Sequence, residues 1–342
     1  MSNKPPIEVP QGAIRLNTDS QRLEFFAQDR WYEMATEEAS GIGNRGFRIS
    51  GTGAGATLIE TFNITTLGNS HDTGFDLSTS RGAFGCSASR TRAVICGGNA
   101  PGVSNSNDIQ YFEMTSLSNT IDFGDLTYNA AEAGAHSNNV RLVVTGAASH
   151  ESNVINFLTV ASTGSAQDFG DQANKLSSTT ACGSPTRGLF AGGAIPSIVN
   201  IIEFVTIAST GNSVDFGDLT VARYSAGSGS NNTRGLFIMG NAGSPTNQVN
   251  TIDFVTISST GNAQDFGDSN MSDTGGPTQG PGVAASPNRI VFFGGYITGG
   301  TDRTTEMEYV NPTTRGNSTR FGDLETAQNS DGNALSSSHG GL

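Results

Sequence analysis

Six arginines recur at equivalent places along the chain, each just before a run of apolar residues. They are Arg45, Arg92, Arg141, Arg187, Arg234 and Arg289. Six-fold symmetry would bring their guanidinium groups into a ring, where they could bind an anion or a glycan. The structural alternative is an ion pair with a nearby acidic residue, because the planar guanidinium matches a carboxylate. Since the arginine is present in every copy, we favour the structural role.

Aspartates supply carboxylates for such pairs. The string Asp-Phe-Gly-Asp occurs at residues 122–125, 168–171, 215–218 and 265–268, and Arg-Phe-Gly-Asp occurs at 320–323. Calcium is a second candidate partner, but it takes about six to eight oxygen ligands, and two aspartates that flank Phe-Gly supply too few. We therefore predict no metal site and interpret the string as a turn that buries its aromatic ring. The rings concerned are those of Phe123, Phe169, Phe216, Phe266 and Phe321.

Residues that could carry out catalysis are scattered. The four histidines, His71, His136, His150 and His339, fall in different repeats, and no Ser-His-Asp order is evident. The chain lacks the Ser-x-Asp-x-Gly-x-x-Trp pattern of sialidases and shows no group of residues suited to copper. We predict that the protein is not an enzyme and uses no cofactor.

The three cysteines form neither a disulfide framework nor a zinc pattern. Cys86 and Cys96 fall on adjacent predicted strands and could approach each other, whereas Cys182 lies far away in the sequence. We favour three buried free thiols, because cysteine is among the most buried residue types.

The spacing of these residues reveals a six-fold internal repeat. The phenylalanines at 75, 123, 169, 216, 266 and 321 are 48, 46, 47, 50 and 55 residues apart. In the fifth copy we predict a strand at 219–223 that leads into small residues at 226–230, and further strands at 235–240, 251–257 and 263–268. Residues alternate between polar and apolar there, and Gly-Asn and Ser-Pro pairs mark turns. About four short strands per repeat is the size of one β-propeller blade, so we predict an all-β protein with almost no helix.

The two ends of the repeat region predict how the ring closes. The first copy begins at 44–49 without a preceding strand, and the last copy continues past Asp323 through 324–338. We expect this C-terminal segment to supply the innermost strand of the first blade, because a closed ring leaves no unpaired edge. Residues 41–342 would then form one propeller, with residues 1–40 outside it.

The repeat resembles the kelch repeat. Glycine doublets end the buried strand at 97–98, 192–193 and 294–295, and the next strand carries an Ile-x-Tyr or Ile-x-Phe core, as at 109–111 and 202–204. The kelch tryptophan is replaced here by the phenylalanine of Phe-Gly-Asp. The resemblance implies a six-bladed kelch-like β-propeller over about residues 44–342 and implies no particular activity.

Residues 1–40 differ from the repeats in composition. They read as a hairpin followed by a third strand, and they resemble a short module of bacteriophage tail and fibre proteins, with Gly-Ala-Ile-Arg-Leu-Asn-Thr at 12–18, Leu-Glu-Phe at 23–25 and a following tryptophan. The resemblance implies a β-rich attachment module that docks onto a virion. The alternative is a simple lid on the propeller. The candidate docking residues are Arg15, Phe25, Phe26, Trp31 and Tyr32.

Composition limits the partners. The net charge of −13 makes nucleic acid an unsuitable partner. We find no apolar segment long enough to cross a membrane and no secretory signal at the start. The repeats differ most in the loops after the glycines, at 99–108, 147–153, 194–200, 241–250 and 296–304, and in the lead-in at 269–287. Loops on a rigid scaffold commonly bind ligands, although unselected linkers would look the same.

Together these resemblances imply a structural protein of a tailed-phage virion, assembled in the host cytoplasm. We expect a tail fibre or tail appendage component that docks onto other virion proteins by its N-terminus. Its propeller would bind a host cell-surface glycan or protein, and a homo-oligomer is compatible with the sequence. The alternatives are a capsid decoration or head appendage protein and a carbohydrate-active propeller enzyme.

Overall fold

The computed structural model describes residues 10–17, 22–28, 30–33, 44–49, 57–146, 152–194, 196–243, 248–271, 278–297, 304–327 and 333–342. The regular elements in these ranges are all β-strands, as the alternation of polar and apolar residues predicted. The chain divides into two compact units, Met1–Gly41 and Ile42–Leu342.

The first unit contains one three-stranded antiparallel sheet, in the order in which its strands follow one another. The strands are β1 (Ile14–Asn17), β2 (Arg22–Ala27) and β3 (Arg30–Glu33). Ile14 pairs with Phe25, and Phe25 pairs in turn with Tyr32. The predicted hairpin and third strand are therefore confirmed, while the turn at 18–21 lies outside the described residues.

The second unit is a six-bladed β-propeller, in which each blade is a four-stranded antiparallel sheet. From the innermost strand outwards, the strands are β29 (Asn333–Ser336), β4 (Arg45–Ile49), β5 (Leu58–Asn63) and β6 (His71–Asp76) in blade 1; β7 (Gly85–Ala88), β8 (Arg92–Cys96), β9 (Ser106–Glu113) and β10 (Ile121–Ala130) in blade 2; β11 (Gly134–Ser137), β12 (Arg141–Thr145), β13 (Val154–Thr159) and β14 (Gln167–Asp171) in blade 3; β15 (Thr180–Gly183), β16 (Arg187–Ala191), β17 (Ile201–Thr206) and β18 (Val214–Asp218) in blade 4; β19 (Gly227–Ser230), β20 (Arg234–Ile238), β21 (Thr251–Thr256) and β22 (Gln264–Asp268) in blade 5; and β24 (Gly282–Ala285), β25 (Ile290–Phe293), β27 (Glu306–Val310) and β28 (Thr319–Asp323) in blade 6. A two-stranded ribbon of β23 (Thr278–Gln279) and β26 (Tyr296–Ile297) accompanies blade 6.

The C-terminus closes the ring, as predicted. Strand β29 pairs with β4, with Asn333 opposite Ile49 and Ser336 opposite Gly46. The innermost strands contact one another in the order β29, β7, β11, β15, β19 and β24, and β24 contacts β29 again. Each innermost strand therefore packs between those of the two neighbouring blades, and the ring of six blades is continuous.

Apolar side chains fill the space between blades. The phenylalanine of each Phe-Gly-Asp string is 2–3% exposed and meets an aromatic ring of the neighbouring strand edge-on, a favourable geometry for such rings. The ring centroids are 5.5 Å apart for Tyr111 and Phe123, 5.8 Å for Phe157 and Phe169, 5.9 Å for Phe204 and Phe216, 5.9 Å for Phe254 and Phe266, and 6.1 Å for Tyr309 and Phe321. The string thus buries its ring, as the sequence indicated.

The segment at 219–223 is not a strand, contrary to the prediction. It crosses from blade 4 to blade 5, and the backbone N–H and hydroxyl of Thr220 donate to the Asp253 carboxylate at 3.0 and 2.6 Å. Other backbone groups of the segment bond to the loop before β17, from Leu219 N to Asn200 O (2.7 Å) and from Arg223 N to Val199 O (3.2 Å). The segment therefore pairs with no strand, although its residues alternate between polar and apolar. The first strand of the blade is formed by the small residues of β19 alone.

Candidate functional site

Five of the six repeated arginines join neighbouring blades. These five lie over an aromatic ring of their own blade, within the range of a cation–π interaction, and donate from Nη1 to a backbone carbonyl of the next blade. The guanidinium-to-ring distances are 4.4 Å for Arg92 and Tyr111, 4.8 Å for Arg141 and Phe157, 4.7 Å for Arg187 and Phe204, 4.9 Å for Arg234 and Phe254, and 4.5 Å for Arg289 and Tyr309. The accepting carbonyls belong to Val160 (2.9 Å), Ile207 (3.1 Å), Ile257 (2.8 Å), Pro312 (2.9 Å) and Ile64 (2.9 Å), respectively. In blade 1, Arg45 lies 5.9 Å from the ring of Phe47.

The expected ion pairs between these arginines and the Phe-Gly-Asp corners are wrong. In blade 4, Arg187 stands opposite Thr206 at one end of β17, whereas Asp218 stands opposite Ile201 at the other end. The length of the strand separates the two groups, so the arginine finds the backbone of the next blade instead. The side chain is structural, as favoured, but its partner is different.

Each Phe-Gly-Asp corner fastens its blade to the next one. In blade 3, the carbonyls of Phe169 and Asp171 accept hydrogen bonds from Gly211 (2.7 Å) and Ser213 (2.8 Å) of blade 4. Gly170 has a φ of +144°, and a Cβ there would lie 2.5 Å from the Gly211 backbone, so only glycine allows this approach. Among the described residues, no group of three or more His, Cys, Asp or Glu side chains is placed to hold a metal ion.

A second set of blade contacts was missed by the sequence reasoning. The residue at the middle of each Ile-x-Tyr or Ile-x-Phe core, and at the equivalent position of the other blades, is buried and polar, and in five of the six blades it binds the segment that arrives from the preceding blade. Glu203 accepts from Ser213 Oγ (2.6 Å), Asn174 Nδ2 (2.7 Å) and Ala173 N (3.2 Å). The equivalent residues are Glu60, Gln110, Asn156, Asp253 and Glu308, all 0–2% exposed. The signal for these contacts that was available in the sequence is a charged residue at the centre of an otherwise apolar strand.

The innermost strands surround a central channel. Its wider end is a cavity of about 380 Å³ at the end of the ring where these strands begin, and residues of all six blades line it. We call this end the channel mouth. A narrower space of about 50 Å³ shares part of its lining, including Cys86, Ala135 and Ala181, and lies deeper in the channel.

A ring of left-handed residues surrounds the mouth. Each lies two residues before the first residue of an innermost strand. We call these residues the mouth ring. They are Ala83 (φ 55°), Glu132 (54°), Ser178 (55°), Ser225 (48°) and Gly280 (67°). Backbone hydrogen bonds link some of them directly, from Ser225 N to Ser178 O (3.0 Å) and from Gly280 N to Ser225 O (2.7 Å). Four non-glycine residues in this conformation are an uncommon cluster, and such strain is a recognised mark of functional sites.

Side chains of the mouth differ from blade to blade. The mouth ring itself offers a methyl group, a carboxylate, two hydroxyls and a glycine at equivalent backbone positions. Tyr224, Gln279 and Tyr296 add further polar groups to the lining. This variation contrasts with the contacts made by the arginine and the Phe-Gly pair, which are the same in five of the six blades.

Described parts of the variable loops in blades 2, 4, 5 and 6 lie at this same end of the propeller. Residues after the glycines form bridges with the segment just before the mouth ring, as Ala194 does with Ser177 and Asn241 with Tyr224. In blade 6 the same relation is made by β26 and β23. The described parts of the loops therefore border the mouth; residues 147–151, 195, 244–247, 272–277 and 298–303 lie outside the described part of the chain.

The opposite end of the channel is closed by the C-terminal residues. His339 Nε2 bonds to the Ala88 carbonyl at 2.6 Å, and its ring meets that of His136 edge-on at 5.6 Å. His136 Nε2 in turn bonds to the Ser184 carbonyl at 3.2 Å. Burial lowers the pKa of His136 to about 3, with His339 adding to the effect, and burial lowers the pKa of His339 to about 4. Both rings are therefore neutral at pH 7.

All three cysteines are free and buried, as favoured from the sequence. Burial raises the pKa of the Cys86 thiol, and it raises the pKa values of Cys96 and Cys182 to about 12. These thiols are therefore protonated and poor nucleophiles.

The N-terminal sheet groups three of the candidate docking residues on one face. The Arg15 guanidinium lies 4.1 Å from the Trp31 ring centroid and forms an ion pair with Glu24 at 2.7 Å. Phe26 meets Trp31 edge-on at 5.3 Å. Tyr32 instead accepts a hydrogen bond from Arg30 at 2.7 Å, and Phe25 belongs to β2 with its side chain outside the described part of the structure.

The described residues contain no helix with the length and apolar character needed to cross a bilayer. No protein-family model matches this chain. A search among curated proteins found no match either.

Proposed function

We propose that this chain is a non-enzymatic structural protein of a tailed-phage virion, in a tail fibre or tail appendage. Its N-terminal sheet docks onto another virion protein, and its propeller presents the channel mouth and the surrounding loops to the host surface. The N-terminal resemblance to phage tail and fibre modules supports the virion part of the proposal.

One observation carries the binding role. In five of the six blades the arginine bond and the Phe-Gly corner recur unchanged, whereas equivalent positions around the mouth carry different side chains, such as Ala83, Glu132 and Ser178. A repeated scaffold needs no such differences to fold, because its stability comes from the shared contacts. Differences gathered around one open cavity, next to loops that also vary, are typical of a binding surface.

The first test is immunogold electron microscopy of purified particles, with antibodies raised against the full chain. A tag at the C-terminus is unsuitable, because this segment is tightly enclosed: a Cβ on Gly341 would clash with the Ser137 carbonyl oxygen. Gold at the tail supports the proposal. Gold spread over the head would make the chain a decoration protein, and particles without gold would overturn the virion role.

A second test concerns docking. Particles are assembled with a chain that lacks residues 1–33, and with a matched chain that carries Arg15→Ala and Trp31→Ala. We expect the deletion to abolish labelling and the paired substitution to weaken it, since Arg15 and Trp31 form the centre of one face of the sheet. Full labelling of particles by the deleted chain would show that the propeller, and not the N-terminal sheet, makes the attachment.

A further inference from the structure

We propose that the channel mouth binds a single uncharged sugar unit of a surface polysaccharide, and that Glu132 excludes sugars that carry a carboxylate. This inference rests on the proposed host-surface role and specifies its ligand. It is argued from the size of the cavity, the groups that line it and its single acidic side chain.

The cavity has the size and depth of a site for a small molecule. Its volume of about 380 Å³ falls in the range of roughly 300–1,000 Å³ that is usual for such sites. The channel narrows below the mouth to about 50 Å³ and ends at His339, which is bonded to the Ala88 carbonyl. A ligand therefore reaches the cavity only from the loop-bearing end, so a polymer can insert one terminal or protruding unit.

The lining is rich in groups that match sugar hydroxyls. Tyr224, Tyr296 and Ser225 contribute to it, and their side-chain hydroxyls have no hydrogen-bond partner among the described residues. Gln279 uses its carbonyl oxygen to accept from Asn241 at 2.6 Å, which leaves its amide N–H groups available as donors. Thr179 also lines the cavity, and its Oγ1 is buried without a partner.

Aromatic rings complete the wall. Tyr224 and Tyr296 are half-buried, and each combines an apolar ring with a polar tip. The cavity floor is made of small apolar side chains, such as those of Ala135, Ala181 and Val283. A pyranose has apolar C–H faces and a rim of hydroxyls, so this combination of rings, small apolar residues and polar tips suits it.

Glu132 determines which ligand charge the cavity accepts. It is the one carboxylate among the described residues that line the cavity, and it is exposed to solvent there. Ser178 Oγ donates to its Oε2, and this bond leaves Oε1 free to accept from a ligand hydroxyl. The chain as a whole carries a charge of −13. A carboxylate on the ligand would be brought close to Glu132, and two like charges held near each other repel.

The test uses methyl glycosides as probes. Saturation-transfer NMR measures binding to the full chain of the neutral methyl glucoside, galactoside, mannoside and N-acetylglucosaminide, and of the methyl glucuronide. The glucoside and the glucuronide form a matched pair that differs in one carboxylate. We expect at least one neutral glycoside to bind and the glucuronide to give no signal.

Two variants and a control test the residues. Glu132→Gln should weaken the neutral glycoside about fivefold, because a charge-assisted hydrogen bond becomes a neutral one, and it should allow the glucuronide to bind. Tyr224→Phe removes one hydroxyl and should also weaken binding several-fold. Asp215→Asn, on the exposed outer strand β18, is the control and should change nothing.

Three results would overturn the sugar site: no neutral glycoside binds, the glucuronide binds as well as the glucoside, or both mouth variants bind like the unaltered chain. Gold labelling of particles is independent of these measurements. A labelled tail without glycoside binding would refute the sugar site and support the virion role. Glycoside binding with unlabelled particles would support the sugar site and refute the virion role.

Discussion

Glu203 is the sharpest test of how the blades are held together. It lies in the middle of β17 and is 2% exposed, and its carboxylate accepts three hydrogen bonds from groups that come before and after it in the chain. Two of the donors, Ala173 N and Asn174 Nδ2, belong to the segment arriving from blade 3. Replacing Glu203 by Leu keeps a similar volume and removes all three acceptors.

The cost follows from the donors left behind. A buried donor without a partner costs about 1–3 kcal/mol. Ala173 N keeps its bond to Ser213 Oγ at 3.0 Å. Asn174 is half-buried, so water can reach its amide and its cost lies at the low end, whereas Ser213 is 9% exposed and its cost is higher. We expect Glu203→Leu to lower the free energy of unfolding by about 2–4 kcal/mol. A chain of this length has an unfolding entropy of about 0.7 kcal/mol/K, which converts this loss into a fall in Tm of about 3–6 °C.

Differential scanning calorimetry of the full chain measures the effect. Glu203→Gln is the matched control, because the equivalent positions of blades 2 and 3 already carry Gln110 and Asn156, and we expect it to lose less than half as much. If Glu203→Leu melted within about 1 °C of the unaltered chain, the buried carboxylate would not hold the incoming segment and this account of the blade contacts would be refuted.

Three further predictions follow. Burial lowers the pKa of His136 from 6.5 to about 3, so the stability that its neutral form contributes is complete above pH 6.5 and declines as the pH falls towards 3. The loss is about 2 kcal/mol at pH 5. His136→Gln should therefore reduce the fall in Tm between pH 7 and pH 5, and an unchanged fall would contradict this. Gly217→Ala should lower Tm by more than Gly211→Ala. Both glycines have a positive φ (147° and 156°), but only a Cβ at Gly217 would meet backbone, at 2.5 Å. Equal melting temperatures of the two variants would show that the close approach at Gly217 does not require glycine. Truncation after Asp323 removes β29 and should abolish the soluble monomer in size-exclusion chromatography, while an intact melting curve of the truncated chain would disprove closure by the C-terminus.

Much of the propeller could be predicted from the residues themselves. The spacing of Phe75, Phe123 and their successors indicated six equal units, and the alternation within each unit indicated strands. These signals are local, since a strand with one buried face must alternate. Closure by β29 was also predictable, because the first copy lacked a strand and the last copy had one to spare.

The partners of the polar groups could not be predicted in the same way. Arg187 was expected to meet an aspartate, but it donates to the carbonyl of Ile257, seventy residues later. Glu203 was not recognised as a contact between blades. Each bond depends on how far one blade is displaced and rotated against the next, and the sequence of a single repeat contains no measure of that displacement.

The proposed binding surface shows the same division. The sequence by itself determined that the loops after the glycines vary, and that the scaffold between them repeats. Only the tertiary structure decided that these loops, the mouth ring and the lining hydroxyls share one end of the channel, and that His339 closes the other end. The physical reason is that a ring of six blades brings together residues such as Glu132, Tyr224 and Tyr296, which are far apart in the chain and meet only once the first and last blades have joined.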